Sequence, residues 1–179
     1  MVSIFTDPAS AFYKSALTLE VSSIPDDDFI PFLIRRFASG KRKASADFVR
    51  RILDFTNRTT GDVQQLCAAV WSVTEDGQSL QETDIAIALK DIFATEGGQF
   101  EFQTAKLTRY QLKALIAIAK FGGERVYSSE FLSRAEMPST ATLTKALRRL
   151  TDDRLIYNYR KSYRFFNPFL RAWLVSSGF

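Results

Sequence analysis

The chain has 179 residues, of which 46% are hydrophobic, so it can build one ordinary domain or two small ones. Its single cysteine and its lack of histidine exclude disulfide bonds within the chain, histidine metal sites and Ser-His or Cys-His catalysis. Residues 1–104 carry 10 Lys and Arg against 15 Asp and Glu, whereas residues 105–179 carry 14 against 5, which predicts a domain boundary near residues 100–106 and directs any polyanionic partner to the second half.

The first 24 residues show no helical period. A turn at Asp7-Pro8 is followed by residues 16–21, which alternate in polarity as a short strand does. The apolar residues of this strand need a partner surface that the rest of the chain does not obviously supply. We therefore interpret this segment as the end of a larger structure.

Four helices joined by short loops are predicted between residues 25 and 96. They cover about 25–40, 45–55, 62–72 and 81–95, and Glu96-Gly97-Gly98 is expected to end the last one. The tripeptide Lys41-Arg42-Lys43 is interpreted as a solvated turn, and Cys67 as a small core residue. The predicted core consists of Phe29, Phe32, Leu33, Phe37, Phe48, Ile52, Leu53, Phe55, Val63, Leu66, Cys67, Val70, Trp71, Ile85, Leu89, Ile92 and Phe93.

A second set of three helices is predicted after residue 105. The first, residues 107–121, opens on Thr108-x-x-Gln111, which is the pattern of a capping box, and ends at Gly122-Gly123. An extended link at Val126-Tyr127 leads to a short helix over residues 130–135. The third helix follows Ser139 as its N-cap, and its spacing predicts a buried face. That face consists of Leu143, Ala146, Leu147 and Leu150.

A β-hairpin with a basic tip is predicted to follow this helix. Residues 155–159 and 163–166 are rich in residues that favour strands, and Arg160-Lys161-Ser162 forms the tight segment between them. Three helices closed by a hairpin are typical of a winged helix-turn-helix domain. The predicted fold class is therefore mainly α, a four-helix lid-type bundle followed by a winged helix with a β-hairpin wing. A last helix over residues 169–176 presents an apolar face of Phe169, Leu170, Trp173 and Leu174.

The basic residues of the third helix and of the hairpin are candidate ligands of duplex DNA, the helix lying at the major groove and the wing at the phosphates. Ala141 and Thr144 offer little to a base edge and Asp152 repels phosphate, which favours general affinity over sequence-specific recognition. A protein-protein interaction surface is the alternative, and both remain open. The candidate DNA-binding residues are Lys145, Arg148, Arg149, Arg160, Lys161 and Arg164.

Motifs of nucleotide hydrolysis are absent from the sequence. The only Gly-Lys pair, Gly40-Lys41, lacks the upstream glycine of a Walker A motif and is followed by Arg42 instead of a hydroxyl residue. No Walker B strand or paired carboxylates are recognisable, so we predict no catalytic residue, no metal site and no enzymatic activity for this chain. No apolar run approaches the ~18 residues of a membrane helix and no signal peptide is visible, which predicts a cytoplasmic protein that does not bind membranes.

The order of a four-helix unit and a winged helix resembles the C-terminal half of the AAA+ (STAND-like) ATPases of archaea and bacteria. The most specific likeness is residues 166–174, FNPFLRAWL, which is similar to the closing "f.dP.fr.Wl" segment of that family. Residues 1–16 are similar to the end of the family's nucleotide-binding core, and residues 24–37 to its first lid helix. Residues 57–66 lie where the family has the turn that opens the nucleotide-facing lid helix, and residues 107–112 where its winged helix begins.

The resemblance implies a division of the chain into three parts. Residues 1–24 would be a remnant of a core that is otherwise missing, residues 25–104 the helical lid domain, and residues 105–179 the winged-helix domain with its C-terminal helix. ATP and Mg²⁺ would bind the parent protein, an ATPase, and no cofactor would bind this chain. Gly61 and Asp62, at the start of a helix, would face the nucleotide in the intact protein.

Two residues depart from the family pattern. Val63 stands where the family usually has proline, and Lys14 where it often has arginine. Three functions remain open: the non-catalytic lid and winged helix of an ATPase, a stand-alone DNA-binding regulator, and a protein-interaction adaptor of a signalling or defence ATPase.

Overall fold

A computed structural model describes Pro8, Ala11 and residues 23–178 of the chain. This part consists of eight α-helices and a two-stranded antiparallel hairpin, which confirms the mainly helical fold class. The predicted strand at residues 16–21, Lys14 and most of the predicted core remnant lie outside the described residues. The elements are α1 (Asp26–Ser39), α2 (Ala46–Phe55), α3 (Thr60–Ser72), α4 (Glu82–Ala105), α5 (Arg109–Phe121), α6 (Ser129–Arg134), α7 (Thr140–Asp152), β1 (Ile156–Tyr159), β2 (Ser162–Phe165) and α8 (Pro168–Ser176).

The first three helices form where the apolar periodicity predicts them, but the buried stripe of α1 differs from the prediction. Phe32 is 48% exposed, whereas Ile30 is buried beside Phe29 and Leu33. At 100° per residue, Phe32 falls about 60° outside the stripe that the buried apolar residues define. Trp71 is also exposed in part. Four further residues of the predicted core are half-buried, Phe55, Cys67, Leu89 and Phe93.

The loop between α1 and α2 is not a solvated turn at Arg42, so that interpretation is wrong for this residue. Arg42 is only 9% exposed. Its guanidinium donates hydrogen bonds to the carbonyl oxygens of Gly40 at 2.7 Å and Thr74 at 2.6 Å, and it lies 4.2 Å from the ring centroid of Trp71. Because buried guanidinium groups are stable only when their donors are satisfied, this network ties the α1–α2 loop to the end of α3.

Helix α4 continues through Gly97-Gly98 to Ala105, so the predicted end near residue 95 is wrong. A helical glycine costs about 1 kcal/mol relative to alanine, but burying a Phe side chain contributes about 1.5–3 kcal/mol. Phe100, beyond the two glycines, is 1% exposed, and its ring centroid lies 5.9 Å from that of Trp173 in α8. Packing against α8 therefore overrides the local signal for a helix end.

In the second half of the chain, α5 and α7 begin at the predicted caps. The Thr108 amide donates to the Gln111 side chain at 2.8 Å in the capping box of α5, and Gly122 ends that helix with a φ of 85°. The Ser139 hydroxyl accepts from the Thr142 amide at the start of α7. The link at Val126-Tyr127 is a turn and not the extended segment that was expected.

The hairpin follows α7 directly and has the predicted pairing. Ile156 pairs with Phe165 and Tyr159 with Ser162, so the loop contains only Arg160 and Lys161 and is one residue shorter than predicted. Both loop residues have positive φ, 49° and 66°, as a type I′ turn requires. Ile156 and Phe165 are buried, which fixes the register of the wing against the helices.

Helix α8 returns to the middle of the molecule. Asn167 caps it by accepting from the amides of Phe169 and Leu170, and its apolar face is buried as predicted. The Phe169 ring lies 5.8 Å from that of Phe55 in α2, so α8 packs on the first set of helices as well as on α4 and α5. The division of the chain into domains at residues 104 and 105 stays a prediction.

Candidate nucleic-acid interface

Helix α7 has one buried and one basic face. Leu143, Ala146, Leu147 and Leu150 are 0–4% exposed and pack against α5. Lys145 and Arg148 lie on the opposite side and are exposed. Within the described part of the chain, neither side chain has an ion-pair partner. The buried face therefore orients two uncompensated cations towards solvent.

Arg149 differs from its two basic neighbours. Its Nε lies 3.0 Å from the Asp153 carboxylate, one turn further along the chain. The pair is exposed, so its contribution to stability is small, but it compensates part of the Arg149 charge. Of the three predicted helix residues, Arg149 is thus the least available to a phosphate.

The wing holds its cations around an aromatic ring. The guanidinium carbons of Arg160 and Arg164 lie 5.3 and 5.0 Å from the ring centroid of Tyr159, within the range of cation–π contacts. This contact restrains the two guanidinium groups at the tip of the hairpin. Lys161, between them in the sequence, occupies the second position of the turn and is exposed.

The two groups of cations belong to consecutive elements that touch each other. Strand β1 packs on α7, and a turn of three residues connects them. This turn contains Arg154, an exposed cation with a φ of 56° that the candidate set did not include. Its position between a basic helix and a basic hairpin was the signal that could have identified it. The DNA-binding role of the six candidate residues stays a prediction.

A main-chain hydrogen bond attaches the wing to the body. The Tyr163 amide donates to the Gly123 carbonyl at 2.9 Å. Burial raises the pKa of the Tyr163 hydroxyl most, and a hydrogen bond with the Tyr127 side chain raises this pKa further. The wing is therefore held by a polar contact as well as by its buried apolar residues.

The predicted nucleotide-facing residues lie at the first turn of α3. Burial raises the pKa of the Asp62 carboxyl, and the charge of Glu96 raises it further, while a hydrogen bond with Thr59 lowers it. Two carboxylates near this helix end disfavour the approach of a phosphate. Contact of Gly61 and Asp62 with a nucleotide stays a prediction.

Other chemistry has little support among the described residues. They contain no group of three His, Cys, Asp or Glu side chains that could hold a metal ion. Burial raises the pKa of the Cys67 thiol to about 12, so it is not a reactive thiolate at neutral pH. None of the described helices is long and apolar enough to span a bilayer.

The comparisons with known proteins concern the second half of the chain. Residues 98–176, from the middle of α4 to the end of α8, match a family model described as "Probable winged helix domain". No curated protein and no solved structure matches the chain. The match does not bear on the resemblance to AAA+ ATPases, which stays a prediction. The helices, the paired hairpin and the match agree that the C-terminal part of this chain is a winged-helix domain.

Proposed function

We propose that the winged helix binds duplex DNA, with α7 at the major groove and the wing at the phosphate backbone. The observation that carries this proposal is the exposed, uncompensated pair Lys145 and Arg148 on the helix that the hairpin directly follows. The basic wing tip, with Arg160 and Lys161, extends the positive charge beyond the helix. In winged helices this helix and this hairpin are the elements that reach a groove and the backbone.

The binding is expected to depend on charge more than on base sequence. The Thr144 hydroxyl donates to the Thr140 carbonyl at 2.9 Å, so its donor is already used within the helix. Ala141 has no polar group, and Asp152 repels phosphate. Contacts between cations and phosphates remain as the main source of affinity. They weaken steeply as the salt concentration rises, because binding releases counterions from the DNA and this release is less favourable at high salt.

The test is a double charge reversal on α7, Lys145→Glu with Arg148→Glu. Each lost phosphate contact lowers the slope of log K against log salt by about 0.9, so the slope should fall by about 2. The affinity for a mixed-sequence duplex should fall by about 100-fold at low salt. The measurement is fluorescence anisotropy with a labelled duplex over a series of salt concentrations.

The matched control variant reverses two positive charges on helices outside the proposed interface. Arg35→Glu with Lys90→Glu changes two exposed cations of α1 and α4 and should leave the affinity within a few-fold of the unmodified protein. An equal loss in both variants would show that only net charge matters. Unchanged binding after the α7 reversal would show that α7 does not contact the DNA.

The second candidate is that residues 25–179 act as the non-catalytic lid and winged helix of a larger AAA+ ATPase whose core binds ATP and Mg²⁺. It is supported by the α8 segment, since Asn167, Phe169 and Trp173 of the family-like sequence serve as cap and buried face. A Walker A motif upstream of Met1 in the same reading frame would support this role. A third candidate, a protein-interaction adaptor, would be favoured if the winged helix bound no DNA and instead bound a protein through the same basic face.

A further inference from the structure

The outward face of the wing is aromatic. Cross-strand partners share a face of a hairpin, as do residues two apart, so Tyr157, Tyr159 and Arg164 lie on the same side. Phe166, just after β2, continues this row, and its ring centroid lies 4.9 Å from that of Tyr157. Tyr159 is 44% exposed and Phe166 50%. The hairpin therefore presents a row of rings to solvent.

These rings do not belong to the core of the domain. The buried side of the hairpin carries Ile156 and Phe165, which already fix its register. On the outward side, Arg160 and Arg164 both lie over the ring of Tyr159. The row thus combines exposed aromatic faces with two restrained cations, and the described chain places no carboxylate in an ion pair with either of them.

This combination fits unpaired bases better than a continuous duplex. Base pairs in a duplex are stacked on both faces, so a ring has no free base face to cover. Unpaired bases can stack on any aromatic side chain or on a guanidinium plane, and the nearby cations neutralise their phosphates. A backbone contact alone would need only the arginines and Lys161, and would give the exposed ring surface of Tyr159 and Phe166 no role.

We propose that the outward face of the wing binds single-stranded DNA next to the duplex that α7 holds, with Tyr159 and Phe166 stacking on unpaired bases and Arg164 contacting a phosphate of that strand. The duplex part of this inference rests on the proposed function, whereas the stacking part rests on the wing alone. The substrate class is then a junction between double-stranded and single-stranded DNA.

The test compares three labelled DNAs with the full chain: a blunt duplex, the same duplex with an overhang of about six thymines, and that overhang as a free strand. The overhang should strengthen binding about tenfold relative to the blunt duplex. The variant Tyr159→Ala with Phe166→Ala should lose this preference. The quantity compared is the ratio of its affinities for the overhanging and the blunt duplex, because removing the Tyr159 ring also releases Arg160 and Arg164. Leucine at the same two positions keeps apolar bulk on the hairpin and should also lose the preference.

The matched control is Phe102→Ala with Tyr110→Ala, which removes two exposed rings from α4 and α5. It should keep the tenfold preference. Equal binding of blunt and overhanging duplexes by the unmodified protein would overturn the inference, as would a preference that survives both wing variants.

The proposed function has a separate readout. If Lys145→Glu with Arg148→Glu leaves blunt-duplex binding unchanged while the wing variants abolish the overhang preference, the α7 assignment is wrong and the stacking surface stands. If the α7 variant loses blunt-duplex binding but the unmodified protein shows no overhang preference, the proposed function stands and the stacking inference is wrong. A variant Tyr159→Trp adds a direct probe, since stacking on a base should quench the fluorescence of the new indole.

Discussion

The position of the wing depends on a single residue, Gly123, whose backbone contacts Tyr163 of the hairpin. Its carbonyl accepts the hydrogen bond from the Tyr163 amide, and the two backbones approach so closely that a Cβ atom on Gly123 would lie 1.8 Å from the Tyr163 oxygen. The need for glycine here is steric. At the preceding residue, Gly122, the need is conformational, because its φ of 85° is a value that other residues rarely adopt.

The first prediction concerns this close approach. Gly123→Ala should lower the free energy of unfolding by about 1–3 kcal/mol, because the wing has to shift away from the body to make room for the methyl group. The control is Gly98→Ala, at an exposed position of α4 where a Cβ would have no neighbour within 4 Å. That substitution should raise the free energy of unfolding by up to about 1 kcal/mol. Denaturant unfolding measures both, and equal stability of the two variants would contradict the steric argument.

Residue-scale features of this kind are where the sequence was least informative. The glycine pair predicted the end of α5, but the contact of Gly123 with Tyr163 joins residues far apart in the sequence and leaves no periodic signal. Arg42 is a similar case. Its neighbours Lys41 and Lys43 are exposed. Arg42 is buried because its guanidinium contacts the carbonyl groups of Gly40 and Thr74, the Trp71 ring and the Asp76 carboxylate, and three of these four residues are distant in the sequence.

At the scale of elements, the turn of the wing is unusual in composition. Type I′ turns favour Asn-Gly because both residues need positive φ, yet this turn contains Arg160 and Lys161. A residue with a Cβ in this region costs about 1–2 kcal/mol. The hairpin tolerates that cost at both positions, which is consistent with a role for the two cations outside the fold.

The second prediction separates the stability cost of this turn from the DNA-binding role of its two cations. Arg160→Asn with Lys161→Gly should raise the free energy of unfolding by about 1 kcal/mol, because the new residues suit the turn. The same variant should lower duplex affinity about tenfold at low salt, because two phosphate contacts are lost. Thermal unfolding and anisotropy measure the two effects. Arg160→Gln with Lys161→Gln is the control, which should weaken binding without a gain in stability. Unchanged affinity would show that the wing tip does not touch DNA.

Elements were also the scale at which the sequence was most informative. The caps of α5 and α7, the apolar spacing of α5, α7 and α8, and the two strands of the wing were all predicted, because each depends on residues only a few positions apart. The end of α4 was not, since it depends on Phe100 packing against Trp173 of α8. For the candidate site, the sequence identified the basic residues but not the Tyr159 ring between them or the Asp153 partner of Arg149.

At the scale of the whole molecule, α8 packs on residues of the acidic half of the chain although it belongs to the basic half. Its residue Phe169 packs on Phe55 of the acidic first half, and its Trp173 packs on Phe100, which lies near the predicted boundary. The buried apolar residues form one continuous cluster from α1 to α8. A difference in charge between two halves therefore does not require two separate hydrophobic cores. The structure favours cooperative unfolding of both sets of helices.

The last prediction tests this cooperativity with the two tryptophans of the chain. Trp71 lies in α3 and reports on the first set of helices, whereas Trp173 lies in α8 and reports on the winged helix. In the variants Trp173→Phe and Trp71→Phe, one indole remains as the fluorescence probe. If the core is continuous, the fluorescence of each variant should follow the same denaturant transition as its own circular dichroism. If the fluorescence and the circular dichroism of one variant instead changed at different denaturant concentrations, residues 25–104 and 105–179 would fold as independent domains, because each half would then unfold separately.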